Sequence, residues 1–244
     1  MSVCLLLDLW FLIITFKFMK YKYYILTIAL SLSFYNISAQ DMNTWRDSLK
    51  VINYELSYHP DSIDLHLKKA AINIQLDQWN YAMDEYNLIL NKQPYNPAAL
   101  FYRAYVNEHL DRHKFARVDY EKLLKILPFN YEARLSLALV NQKDQHYTEA
   151  YDGINHLIEM FPDSASAYSA RAGIEIERNL KDLAIYDYGM AIKLSPENKD
   201  YYVLRADLYI KMGKKDEARK DLEMAVKYGE NRAALREMFA SCGK

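Results

Sequence analysis

The residues from which a metal or nucleophilic centre could be built are six histidines and two cysteines. Among the histidines the one notable spacing is His109 and His113, four apart with Asp111 between them. On a helical face two such imidazoles can share one metal, but persuasive zinc motifs carry three or four ligands. No third ligand follows at a usable spacing, and His113 falls near a turn, so the pair reads as surface. Cys4 and Cys242 are too few for a disulfide framework or a zinc cluster. Cys242 is expected to stand alone near a flexible end. No glycine-rich phosphate loop is present, and no Ser, Cys or carboxylate stands beside a base in a recognisable motif. The expectation is a chain without catalysis, cofactor or metal. Its 31 basic residues against 32 acidic ones leave no basic face to neutralise phosphates, so nucleic acid is not an expected partner.

What must position any functional surface is helix. Six glycines and six prolines are too few for a sandwich or barrel with many tight turns, and abundant Leu, Ala, Lys and Glu favour helices. The 22 tyrosines supply large apolar bodies with polar tips, suited to thin helical layers. Five prolines, Pro60, Pro94, Pro128, Pro162 and Pro196, recur every 34 residues. Two residues after each stands Ser62, Asn96, Asn130, Ser164 or Asn198, every one a good helix N-cap. Pro97 follows Asn96 at the first helical position, where its missing N–H costs nothing.

The same period runs inside each unit. Ala70, Ala104, Ala138, Ala172 and Ala206 fall in a first helix, and Ala82, Ala116, Ala150, Ala184 and Ala218 in a second. Small residues at fixed sites let two antiparallel helices approach closely. Tyr86, Tyr120, Ile154, Tyr188 and Leu222 fill the space between neighbours, and Asp77, Asp111, Gln145, Asn179 and Gly213 mark the turns. A 34-residue helix–turn–helix period with these alanines and prolines resembles the tetratricopeptide repeat (TPR) family. The resemblance covers residues 63–232 as five repeats: 63–96, 97–130, 131–164, 165–198 and 199–232. It departs at His66 and Arg134, where the family has a large residue, and at Gly229, which replaces the closing proline. The implied fold class is all-α, a right-handed α-solenoid of antiparallel helix pairs. Stacked units need covered ends. Residues 41–62, with Trp45, Leu49, Ile52 and Leu56 on one helical face, are the expected N-terminal cap, and residues 233–244, with Leu235, Met238 and Phe239, the C-terminal one.

Residues 1–40 are set aside as an export signal. Within them 19–39 has the layout of a signal peptide: Lys20 and Lys22, then apolar Tyr24 to Phe34, then a small Ala39. Residues 1–18 read as a mis-assigned start, with translation beginning at Met19. The competing reading is an uncleaved membrane anchor, although Tyr24 to Ile37 is shorter than the ~20 residues a span needs. The expected location is the bacterial periplasm or beyond.

Arg103, Arg171 and Arg205 share one place in the first helix, and sixteen residues on come Asp119, Asp187 and Asp221. The first repeat has Lys69 and Glu85 at those places, whereas the third has Leu137 and Gly153, so both charges vanish together. This covariation within one chain predicts an inter-helix ion pair in four repeats, each contributing only ~0.2–1 kcal/mol if exposed.

The resemblance also implies a concave groove lined by the first helices. Its positions fall on Leu67 and Ile74, on Phe101, Tyr105, Glu108 and His109, on Leu135, Leu139, Gln142 and Lys143, and on Ser169 and Asp207, with Asp64, Ala71, Glu132, Glu177, Asp200 and Lys211 beside them. The lining is acidic around an apolar centre of Phe101, Tyr105, Leu135 and Leu139, which suits a peptide or protein segment that is basic and amphipathic. Leu67 and Ala71 replace the Lys and Asn of the family's carboxylate clamp, so chaperone docking of that kind is not expected. The expected function is a non-enzymatic protein–protein interaction scaffold in the bacterial envelope; the alternative is an envelope receptor for a small molecule or glycan.

Overall fold

The structure, a computed structural model, describes residues 39–243. The expected signal peptide, start site and anchor lie outside the described residues. The chain divides into residues 1–40 and 41–244, and only the second unit is described further, with the helix that leads into it. Among the described residues all regular structure is helical.

Helix α1 is Ala39–Tyr58. The first repeat holds α2 (Ile63–Gln75) and α3 (Trp79–Lys92), and the second α4 (Pro97–His109) and α5 (His113–Ile126). The third holds α6 (Tyr131–Lys143) and α7 (Tyr147–Met160), and the fourth α8 (Ala165–Glu177) and α9 (Lys181–Leu194). The fifth holds α10 (Lys199–Lys211) and α11 (Lys215–Lys227), followed by the short α12 (Arg236–Ser241).

The repeating signals act through repeating local physics. Each first helix begins at a Ser or Asn in extended backbone whose side-chain oxygen accepts a first-turn N–H. Asn130 takes that of Ala133 at 2.8 Å and Asn96 that of Ala99 at 3.0 Å; Ser62, Ser164 and Asn198 act likewise. Each first helix stops at a residue with positive φ: Asp77 (55°), Asp111 (56°), Gln145 (62°), Asn179 (60°) and Gly213 (75°). That conformation reverses the chain into the second helix. It costs least for Gly, less for Asn and Asp than for other L residues, and most here for Gln145.

The ten register alanines are sealed between the paired helices, as are Tyr86, Tyr120, Ile154, Tyr188 and Leu222. Each second helix also packs on the first helix of the next repeat, as α3 does on α4 and α5 on α6. First helices of successive repeats touch as well, α2 with α4 and α6 with α8. The second helices are not packed on one another to that degree, so the array curves with its first helices inside.

At the C-terminal end Leu235 and Cys242 join Leu222 and Ala225 in one apolar cluster, with Met238 and Phe239 against it. Cys242 therefore does not stand at a loose end. Its side chain is buried, and its thiol donates to the Met238 carbonyl at 3.3 Å. At the other end Trp45, Leu49, Ile52 and Leu56 of α1 are half-buried, while Val51, Tyr54 and Tyr58 are exposed. Among the described helices none packs along α1 as the repeat helices pack on each other.

Candidate protein-interaction site

The rigidity of the inner face begins with the charge pairs. Arg103 donates from Nε and Nη2 to both oxygens of Asp119 at 2.7 Å. Arg171 grips Asp187 in the same fork at 2.6 and 2.8 Å, and Arg205 grips Asp221 at 2.7 Å. In the first repeat Lys69 reaches Glu85 at 2.7 Å, and Glu85 also meets His66 at 2.5 Å. The third repeat, with Leu137 and Gly153, has no charge at either place.

Three details were not read from the sequence. The carboxylates of Asp119, Asp187 and Asp221 are almost wholly buried. The exposed-pair energy therefore does not apply; stripping such a buried group of its partner costs about 3–5 kcal/mol. Arg103 and Arg171 also reach backward, donating from Nη1 to Asn87 at 2.9 Å and Asn155 at 3.0 Å. Each arginine thus ties its own second helix to that of the preceding repeat. The signal was present, since both asparagines stand sixteen residues before the arginine as the aspartates stand sixteen after. Third, His66 and Arg134, which break the family pattern, and Tyr202 at the same register hold the preceding proline's carbonyl. The Arg134 guanidinium donates to the Pro128 carbonyl at 2.7 Å, the Tyr202 hydroxyl to the Pro196 carbonyl at 2.9 Å, and His66 meets the Pro60 carbonyl at 2.8 Å.

On this frame the rings of the inner face gather where the first and second repeats meet. Phe101 is half-buried, packed edge-on to Tyr102 and Tyr120 with ring centroids 5.3 and 5.7 Å away. Tyr105 is open, 36% exposed. Leu67 and Ile74 are half-buried against the core of the first repeats and Leu135 against that of the third; Leu139, Gln142 and Ser169 are also half-buried. The four central apolar residues are thus partly scaffold, with Tyr105 the most open. Trp79, which the sequence did not single out, completes the surface. Its ring stacks on His109 at 4.1 Å, nearly parallel, and Tyr105 meets His109 edge-on at 4.6 Å. His109 is therefore a surface aromatic in a three-ring cluster. His113 is 4.0 Å from Asp111, and among the described residues no group of three or more His, Cys, Asp or Glu is placed to hold a metal.

The charge of this face is unevenly spent. Glu108 accepts the Tyr120 hydroxyl at 2.7 Å and lies 3.7 Å from Lys143, and Lys211 pairs with Asp207 at 2.6 Å. Both lysines of the face are thereby occupied, while Asp64, Glu132, Glu177 and Asp200 have no basic partner among the described residues. Partial burial, then the carboxylates of Glu108 and Asp77, push the Tyr105 phenol above its ordinary range, so it stays a neutral donor. Two open hollows lie at the ends of the array, one lined by Tyr58, Pro60, Ser62 and Leu65, the other by Arg232, Arg236 and Phe239.

No protein-family model matches the sequence, and no curated protein does. Solved structures do match. A tetratricopeptide repeat protein from Parabacteroides merdae superposes with a TM-score of 0.67 at 23% identity, over 84% of this chain and 80% of that one. A thermophilic TPR protein of Thermus thermophilus gives 0.60 at 18% identity, over 74% and 98%. YrrB, described as a TPR protein with an unusual peptide-binding site, gives 0.54 at 15% identity, over 76% and 96%. With the 34-residue register, the paired helices and these likenesses together, the fold of residues 63–232 is that of the tetratricopeptide repeats, an all-α, right-handed solenoid.

Proposed function

We propose that this protein is a non-enzymatic interaction scaffold whose inner face takes a peptide or protein segment with apolar anchors and positive charge. One observation carries the reading. An open Tyr105 stands in a cluster with Trp79 and His109 on a face that also carries half-buried Phe101, Leu135 and Leu139, whose lysines are occupied and whose carboxylates Asp64, Glu132, Glu177 and Asp200 are free of basic partners. Apolar side chains of a partner gain by leaving water against the rings, and its lysines or arginines answer the carboxylates at the rim. A face built in advance by buried ion pairs loses little entropy on binding. The peptide-binding site in the description of YrrB gives the reading a precedent on the same fold. The apolar stretch within 19–39 supports export to the bacterial envelope as the setting.

Selection from a displayed library of random twelve-residue peptides tests the reading, with a Tyr105→Ala, Leu139→Ala variant as counter-target. Enriched peptides should carry apolar anchors with Lys or Arg, bind at least tenfold more weakly to the variant, and weaken as salt rises. Peptides that bind wild type and variant alike would remove the inner face from consideration.

A further inference from the structure

One side chain on the fourth repeat is not explained by packing or by the groove. Position 73 in the first repeat corresponds to 107, 141 and 175, and its occupants Asn73, Asn107, Asn141 and Glu175 are all buried. In these four repeats the backbone carbonyl at this position closes the turn by accepting the N–H five residues on, at 2.8 Å from Gln78, Arg112, His146 and Leu180, and in the fifth Tyr209 does the same for Lys214 at 2.9 Å. Three repeats thus carry a neutral amide here and the fourth a carboxyl group.

Glu175 is 2% exposed. One of its oxygens accepts from the Tyr151 hydroxyl of α7 at 3.2 Å; the other has no hydrogen-bond partner. The charged groups facing it are Asp187 from α9 and Arg171 from its own helix. Arg171 is already spent on both oxygens of Asp187 and on Asn155 of α7, and Arg178 lies over the Tyr151 ring at 4.8 Å. The preceding repeat, lacking an ion pair at Leu137 and Gly153, offers no second arginine.

We infer that the joint of α7, α8 and α9 is a proton-sensitive hinge, closed while Glu175 is protonated and loosened when it ionises. Protonated, the carboxyl is a neutral group like the amides at its register. Ionised, it sets two carboxylates against one committed arginine in a dry site, which low dielectric makes costly. Burial first and Asp187 second hold the Glu175 carboxyl up at about 7. The folded value is raised, so the stability is fully present below the unfolded value of about 4.3 and is lost as pH rises through about 7. The joint includes α8, which carries Ser169 and Glu177 of the inner face, so its loosening changes one end of the groove whatever the groove holds.

Amide hydrogen exchange at pH 6 and pH 8, corrected for intrinsic rates, tests the hinge without any ligand. Opening that returns Glu175 to water should become about tenfold more frequent between these values, because the open form is already ionised at both, whereas the closed form keeps its proton at pH 6 and has lost most of it by pH 8. The increase should be confined to α7–α9, leave α2–α5 unchanged, and vanish in Glu175→Gln, with Glu175→Asn as the register's own replacement should the glutamine variant misfold. Equal pH responses in wild type and variant, or a response spread over all repeats, would overturn the inference; neither outcome bears on peptide binding.

Discussion

At the scale of single residues the organising device is the arginine that binds three helices. Arg103 holds Asp119 ahead of it and Asn87 behind it, and Arg171 does the same with Asp187 and Asn155. With its carboxylate sealed from water, the Asp119 pair is not an ornamental surface bridge. Arg103→Leu, which strands the buried Asp119 carboxylate, should lower the unfolding free energy in urea by about 3–5 kcal/mol. Arg103→Leu with Asp119→Ala should recover most of that loss, because removing both charges leaves none stranded, the solution the chain itself uses at Leu137 and Gly153. A double variant as unstable as the single would mean that packing, not charge, governs the site.

At the scale of elements the helix pair is fixed by its ends. The residue closing each first helix lies in the left-handed region, and Gln145 is the one ill suited to it. Gln145→Gly should raise stability by up to about 1 kcal/mol, and Gly213→Ala should lower it by a similar amount; thermal unfolding reads both, and matching signs would refute the turn argument. Asn130→Ala should cost about 1 kcal/mol through its lost cap. These features were legible because they recur: five prolines, five caps and ten alanines at one period leave little choice of fold. What was not legible is what occurs once. Trp79 stacks on His109 through a cross-repeat contact with no counterpart in the other turns. Glu175 matters only because three asparagines share its register. Cys242 joins the cap read from Leu235, Met238 and Phe239, but a lone cysteine carries no period that would place it there.

At the scale of the whole array each repeat leans on its neighbours, so stability passes along the chain. The last repeat depends on Leu235, Met238, Phe239 and Cys242. Ending the chain at residue 232 should expose Leu222 and Ala225 and let α10 and α11 fray first, seen as their early loss of exchange protection while α2–α5 keep theirs. The two faces of the array differ in the same way that its helices do. Exposed Tyr105 stands on the inner face in a cluster of rings with Trp79 and His109, whereas Phe115, 66% exposed, stands on a second helix. Photo-crosslinking in the native cell, with a benzophenone amino acid placed at residue 105 or residue 115, separates the faces directly. The inner-face reading predicts a discrete protein adduct from position 105 that Leu139→Ala suppresses, and none from position 115. Adducts from position 115 alone, or equally from both, would contradict it.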